Sequence, residues 1–396
     1  MSTRCYLVAT SPHEVLVMAA AWRAGSLPVP APLVLVVGSD DGSAAARRTA
    51  EQLGFVERVV VIDELLGGDG RVEDTPVELV VGSASLEAGR ALARRLLEVA
   101  ITLVAVDGDA YGPTPYLVRG RFARLVERVL HLDLAPGLAP LLLAERRVPA
   151  TPVPLDDLRA VAATLPTALL PGGGPVVDPT TLVLGRASRW DGSLDADRQA
   201  DLLVALVQRC AEAGHSRMVL LLDPQTRPRV RRQLEKAAAQ VRADLTVVDD
   251  QSPTEQWLAT GAVRFVVGSA APDLVVAQAA YGVRAAQLDT DVVLKRLTPF
   301  GDPRRTGATL VQALVPDLRS WTSAPEGEAP PAVDLLGIVG AVAYAMQPEL
   351  LAGHRPAVIE HLASVEEDTR RRFVRRHRLG ELRLPGGKRK VRAKLG

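Results

Sequence analysis

The chain alternates short β-branched runs with helical patterns, stops at a proline- and glycine-rich break, and then starts the alternation again. The first series of runs is Cys5–Ala9, Leu33–Val37, Arg58–Ile62, Glu78–Val81 and Ile101–Val106. Helical patterns such as Ala44–Leu53 and Leu86–Val99 lie between them. This spacing predicts βαβ units and a mostly parallel sheet. The runs are almost continuous in Val, Leu and Ile, as expected of strands covered on both faces. Between Pro166 and Pro179, the stretch Leu169-Leu170-Pro171-Gly172-Gly173-Gly174-Pro175 continues neither a helix nor a central strand.

The second series follows: strands at Thr181–Leu184, Met218–Leu222, Leu245–Val248, Val263–Val267 and Ala285–Leu288. Helices are expected at Ala196–Ala213, Val230–Val241 and Asp273–Tyr281. Ser252-Pro253-Thr254-Glu255 reads as a capping box that opens a further helix. At 396 residues the chain suits two such domains. The division is 1–165, a linker at 166–179, 180–330, helices over 331–369 and a basic tail over 370–396. The expectation is an α/β protein of two Rossmann-like domains facing a cleft, with ligands at the C-terminal strand ends.

Composition closes off several function classes. Aromatic residues are only 4% of the chain, too few for stacked platforms that bind single-stranded nucleic acid. Cys5 and Cys210 are the only cysteines and read as core residues, so there is no disulfide or cysteine-metal framework. No histidine spacing suits a metal ligand set, although His131 and Asp133 lie in a strand-like alternation. No P-loop occurs, and no G-x-G-x-x-G follows the first strand. The N-terminus lacks the basic start and apolar core of a signal peptide, and Leu335–Met346 is too short to span a bilayer. A reducing, cytoplasmic home is expected.

The net charge of +1 conceals an asymmetry: residues 370–396 hold twelve Lys and Arg against one acid, Glu381. The tail is therefore +11 and the remainder −10. A flexible tail, dispensable for folding and attached to an anionic inner-leaflet surface or a polyanionic glycan, is the corresponding expectation.

Several segments resemble the bacterial polysialyltransferase and sialyltransferase families. They are the strand running into Thr10-Ser11-Pro12, the loop Tyr111-Gly112-Pro113-Thr114, and the stretch from Val129 to Pro140. Later come Phe265-Val266-Val267-Gly268-Ser269, Ala280-Tyr281-Gly282-Val283 and Leu294-Lys295-Arg296-Leu297-Thr298-Pro299-Phe300. The likeness runs in pieces over residues 4–316. It implies a GT-B-type glycosyltransferase architecture, a CMP-sialic acid donor, a glycan acceptor and inverting transfer without a metal. A first-domain carboxylate would be the general base. A His-Pro pair and a Ser-Thr pair in the second domain would hold the donor phosphate.

The chain departs from the family at all three places. The acidic loop reads Val106-Asp107-Gly108-Asp109-Ala110, the His-Pro position reads Leu222-Asp223-Pro224, and the Ser-Thr position reads Ser269-Ala270-Ala271-Pro272. Loss of a positioned base or phosphate donor costs about a hundredfold or more each. Two functions therefore stand side by side: an active glycosyltransferase, or a relative that binds a sugar nucleotide, a glycan or a partner enzyme without catalysis. A sugar-nucleotide epimerase on the same architecture is a third.

Candidate catalytic residues are Asp107 and Asp109, which also read as turn-capping aspartates beside a permissive Gly108. Candidate donor contacts are Gly185, Arg186, Asp223, Thr226, Arg227, Gly268 and Ser269. Thr226 and Arg227 start a helix, where unpaired amides favour anions. Ser11, His13 and Glu14 are candidate acceptor-side residues, with His13 or Glu14 as a replacement acid or base. A capping box of Ser11, Pro12 and Glu14 is their structural alternative.

Overall fold

The computed structural model describes residues 4–27, 33–67, 77–96, 98–186, 193–249, 251–321 and 334–387. The first sheet contains β1 (Arg4–Val8), β2 (Leu33–Val37), β3 (Arg58–Val61), β4 (Val77–Gly82), β5 (Val99–Ala105), β6 (Val126–Leu132) and β7 (Ala150–Val153). Their spatial order is β3-β2-β1-β4-β5-β6-β7, and every pairing is parallel. Its helices are α1 (Pro12–Arg23), α2 (Asp41–Leu53), α3 (Ile62–Gly67), α4 (Leu86–Ala93), α5 (Arg121–Leu125) and α6 (Leu155–Ala162). β2, Leu-Val-Leu-Val-Val, is buried at every position, which is why its sequence is continuous rather than alternating.

The second sheet contains β8 (Thr180–Leu184), β9 (Arg217–Leu221), β10 (Asp244–Val248), β11 (Val263–Gly268) and β12 (Arg284–Gln287), in the parallel order β10-β9-β8-β11-β12. Its helices are α7 (Ala196–Glu212), α8 (Pro228–Gln240), α9 (Thr254–Leu258), α10 (Asp273–Tyr281), α11 (Thr290–Arg296) and α12 (Arg304–Leu314). The chain ends in α13 (Leu335–Met346), α14 (Arg355–Ser364), α15 (Glu367–Phe373) and α16 (Arg376–Glu381). Strand order reverses between β1 and β4 in one sheet and between β8 and β11 in the other. These are two Rossmann-like α/β domains in the GT-B-type arrangement, and each switch point opens a crevice at its strand C-termini.

The domains are tightly docked near those switch points. A single apolar cluster includes Val15 and Leu16 of α1, Leu158 of α6, Leu274 of α10 and Leu310 of α12. A Cβ on Gly307 in α12 would lie 2.5 Å from the Asp107 carbonyl oxygen. A Cβ on Gly108 would lie 2.6 Å from Leu310 Cδ1. Glycine at both positions allows α12 to press its backbone onto the loop after β5. The cleft is therefore floored by direct contact rather than open along its length.

Two expectations change. Residues 370–387 are not a dispensable appendage: Phe373, Val374, Leu379 and Leu384 are buried in the second domain's apolar cluster. Their arginines serve the fold as well. Arg370, Arg375 and Arg378 donate to the carbonyls of Leu362, Leu297 and Ala345 at 2.6, 3.0 and 2.9 Å. These donors satisfy carbonyl groups at helix ends, where no intrahelical partner exists. Residues 388–396 lie outside the described residues. The capping box at Ser252 also does not form. α9 begins at Thr254, Ser252 Oγ accepts from Trp257 Nε1 at 2.9 Å, and Glu255 turns into the domain interface.

The burial of Cys5 and Cys210 pushes both thiols well above the usual range, which fits core roles. Among the described residues, no helix is long and apolar enough to cross a membrane. α13 instead packs on α12 and α14.

The packed end gives a clear expectation. Phe373→Ala should lower unfolding free energy by about 3–5 kcal/mol in urea denaturation. Leu336→Ser, at a position 65% exposed, should change it by less than about 0.5 kcal/mol.

Candidate functional site

The loop after β1 is set by a buried carboxylate. Ser11 caps α1 by accepting the Glu14 N–H at 3.2 Å. Glu14 Oε2 accepts from Thr10 N and Ser85 Oγ at 2.9 and 2.8 Å, and Oε1 accepts from Ala84 N at 2.9 Å. Burial raises the Glu14 pKa, opposed by these hydrogen bonds. Gly82 is required beside it, because a Cβ there would lie 2.0 Å from Glu14 Oε1. Glu14 thus clamps the ends of β1 and β4 together and presents no face to an acceptor. The structural reading of Ser11 and Glu14 holds, with Thr10 rather than Ser11 supplying the returned amide.

His13 faces the other way, into the second domain. Its Nδ1 lies 2.6 Å from Glu255 Oε1, and its Nε2 lies 3.8 Å from Asp107 Oδ1. Asp273, whose Oδ1 accepts from Thr254 Oγ1 at 2.7 Å, adds negative potential. Burial alone would lower the imidazole pKa. Glu255, Asp107 and Asp273 outweigh it and push the pKa up to about 10. His13 is therefore an imidazolium at neutral pH. Tyr281 stands near Glu255, and burial followed by that carboxylate raises its phenol far above the usual range.

Asp107 and Asp109 sit where expected, directly after β5. Asp107 has φ 56° and Gly108 has φ 84°, a left-handed pair that turns the loop sharply. Asp107 stays partly accessible, with 35% of its side chain exposed. Asp109 is half-buried. Burial raises its pKa to about 7, opposed by a Ser83 hydrogen bond and assisted by Asp107, Glu14 and Asp302. A carboxyl that titrates near neutrality can accept or donate a proton.

A cavity of about 550 Å³ lies between the domains, at the C-terminal ends of both sheets. The first domain contributes Asp40, Asp41 and Gly42, and the second contributes Gly185, Asp223, Thr226 and Arg227. Gln225 Nε2 donates across it to Asp41 Oδ2 at 2.7 Å. Arg227 is the N-cap of α8 and Pro228 its first residue, so the helix start points its unpaired amides at this region. Arg186 stands at the end of β8 and donates to the Ser252 carbonyl.

Gly268 and Ser269, the other donor-side candidates, are placed elsewhere. A Cβ on Gly268 would lie 3.2 Å from Leu184 Cβ, so this glycine serves strand packing. Ser269 is fully buried beneath the loop. The next residue, Ala270, has φ 48° and donates its N–H to Thr290 Oγ1 at 3.0 Å. Gly185 does line the cavity, but its small size is set by packing. A Cβ there would lie 2.8–2.9 Å from the methyl groups of Leu203, Leu220 and Leu222.

Asp273, Tyr281, Asp40 and Asp41 were not singled out as site residues by sequence, and Glu255 was read only as part of a capping box. Asp40-Asp41 carried a usable signal, since it directly follows a strand. Glu255 did not, because its partner is 242 positions away in the other domain. Among the described residues, no group of three or more His, Cys, Asp or Glu side chains is arranged to hold a metal ion.

No family model and no curated protein matches this chain. Solved structures are similar at low identity. UDP-N-acetylglucosamine 2-epimerase from Rickettsia bellii is 11% identical, with a TM-score of 0.48, covering 90% of this chain and 98% of its own. The S. aureus MnaA–UDP structure is 14% identical, with a TM-score of 0.46, covering 88% and 98%. The E. coli heptosyltransferase WaaC with ADP is 13% identical, with a TM-score of 0.41, covering 72% and 87%.

The His13 pair should be visible in the pH dependence of stability. The imidazole pKa rises from 6.5 to about 10, so its contribution is complete below about pH 6.5 and disappears as pH climbs through about 10. Melting temperature should fall over that window in the native chain. His13→Gln should cost about 3–5 kcal/mol near pH 6, because it leaves Glu255 buried without its cation, and should flatten the alkaline fall. Thermal melts across the two limbs check both effects.

Proposed function

We propose that this chain binds a sugar nucleotide in the interdomain cavity and transfers its glycosyl group to a glycan hydroxyl. The observation that carries the reading is the cavity itself, placed at the C-terminal strand ends of two doubly wound sheets. Thr226, Arg227 and the first amides of α8 suit the donor phosphate, by hydrogen bonding and by charge. Asp41, Asp223 and Gln225 suit ribose and sugar hydroxyls, which need acceptors as well as donors.

In the transfer step, the acceptor oxygen bonds to the anomeric carbon as its proton passes to a carboxylate. The glycosyl–phosphate bond breaks and its electron pair leaves with the nucleotide phosphate. Asp109 is the proposed base: it stands outside the residues that line the cavity, after β5 at the same end of the sheet, with a pKa near the operating range. Asp107 and protonated His13 set the field around the same loop. The segments resembling sialyltransferases favour a CMP-sialic acid type of donor and inverting, metal-independent transfer.

A second reading is a binding protein without catalysis. It is favoured by the close cover of α12 over the loop of Asp107 and Gly108, and by Asp223 at the position where the resembled family has histidine.

Calorimetry with CMP, UDP and GDP in parallel tests the shared premise. One nucleotide should bind, and at a hundred times its Kd it should stabilise the chain by about 2.7 kcal/mol. Arg227→Ala should weaken that binding about tenfold, as loss of a charge-assisted contact does. No binding by any of the three would overturn the donor site. Asp109→Asn should leave nucleotide affinity unchanged and reduce transfer about a hundredfold or more. Nucleotide binding with no transfer to any glycan acceptor by the native chain selects the second reading.

A further inference from the structure

Four arginines surround a concavity of about 160 Å³ on the first domain: Arg90 and Arg94 from the end of α4, and Arg119 and Arg121 at the start of α5. Phe122 and Leu125 supply its apolar wall. α4 leads into the start of β5 and α5 into the start of β6, so the feature sits at the N-terminal edge of the sheet. The interdomain cavity lies at the opposite edge.

The arrangement is electrostatically unfavourable by itself. Arg90 and Arg94 are four positions apart on one helix face, a spacing at which like charges repel. Among the described residues, no hydrogen bond or ion pair engages the side chains of Arg90, Arg94 or Arg121. Several other surface arginines are paired, as in Arg47–Glu51, Arg209–Glu212 and Arg371–Glu367. The arginines of 370–378 that donate to carbonyls are similarly occupied. Unmatched cations around a hollow lack a folding role and suit an anion of tetrahedral shape.

The rim identifies the source of that anion. Tyr116 is 79% exposed, the most exposed large side chain named among the described apolar and aromatic residues. Arg119 lies over its ring, 5.3 Å from the centroid, and also donates to Gln347 Oε1. An exposed amphipathic ring beside guanidinium groups matches the headgroup layer of a bilayer, where tyrosine sits with its ring in the interface and its hydroxyl in water. Inorganic phosphate or pyrophosphate makes no use of such a ring.

We propose that Arg90, Arg94, Arg119 and Arg121 hold the phosphate of an anionic lipid, with Tyr116 inserted beside it. Membrane contact then belongs to the first domain rather than to the basic end of the chain, and it is independent of the nucleotide reading.

Co-sedimentation of the full chain with phosphatidylcholine vesicles, with and without phosphatidylglycerol, tests this. The native chain should pellet with the anionic vesicles only and should be released by salt. Each basic residue near an anionic surface contributes about fivefold in partition. Arg94→Glu with Arg121→Glu should therefore reduce partition by about 25-fold or more. Tyr116→Ser should reduce it further, and melting temperature should stay unchanged in both variants because the altered side chains are exposed.

A companion variant replaces Lys388, Arg389, Lys390, Arg392 and Lys394 by glutamine and should retain binding. Unchanged pelleting of the double arginine variant overturns the proposal. So does equal pelleting with neutral vesicles, or loss of binding only in the glutamine variant. Arginine-dependent binding of inorganic pyrophosphate without vesicle binding overturns the lipid assignment in favour of a soluble phosphate ligand.

Discussion

His13 and Glu255 meet across the junction of two separately wound sheets, and the geometry of the cleft follows from that meeting. A buried ion pair is not in general a source of net stability, because both charges give up water. Its value is geometric: either partner left alone is costly, so the pair permits one docking of the two domains and penalises others. Here the cost is sharpened by Asp107 and Asp273, which make the neighbourhood strongly negative around one imidazolium. Thr254 offsets part of that excess by donating to Asp273. The glycines at 108 and 307 provide the steric counterpart, allowing α12 to lie against the loop that the ion pair anchors.

The same junction explains the unequal chemistry of the two loop aspartates. Asp107 faces His13 and keeps part of its side chain in solvent. Asp109, two residues on, bonds Ser83, feels the like charge of the buried Glu14, and loses water without gaining a cation. Its carboxyl titrates near neutrality for that reason. A raised carboxyl pKa means that the fold pays for ionisation from its ordinary 3.8 up to about 7, so this group destabilises the chain with rising pH over a lower window than His13 does. Clamping β1 to β4 through Glu14 and docking the domains through His13 thus place a proton-transfer group at the end of β5. One helical turn of sequence, Pro12-His13-Glu14, serves both tasks.

Much of the fold was legible because a parallel sheet covered on both faces needs nearly uninterrupted Val, Leu and Ile, and that requirement is local. β6 was read only as a strand-like alternation around His131, and β7 escaped the strand reading, because they are compromised by polar residues and proline. Glu127, Arg128 and His131 interrupt the first, and Pro152 lies in the second, where the edge position spares a ladder amide. Residues at strand ends were legible too, since Asp107, Asp109, Gly185, Asp223, Thr226 and Arg227 all follow strands. Gly268 and Ser269 also follow a strand but lie in the core. The identity of a turn residue does not reveal whether the space above it is filled by Leu184 or left for a ligand. Glu255 was legible only as a helix-capping residue, because nothing local reveals that a histidine in the first domain comes within 2.6 Å.

Charge counting failed in a different and instructive way. Twelve basic residues after Thr369 look like a solvated tail when summed. Yet a guanidinium group carries five donors, and a carbonyl at a helix end is a fixed acceptor with no intrahelical partner. Once Phe373, Leu379 and Leu384 are buried by the hydrophobic effect, Arg370, Arg375 and Arg378 lie over such carbonyls and are consumed by them. Their charge remains, but each commits a donor inward to the fold. Arg90, Arg94 and Arg121 contribute less to any regional count and, among the described residues, keep their guanidinium donors unused. The capacity of a surface to hold an anion therefore follows the number of unspent donors around a hollow. Net charge per segment, the quantity most easily read from sequence, is a poor guide to it.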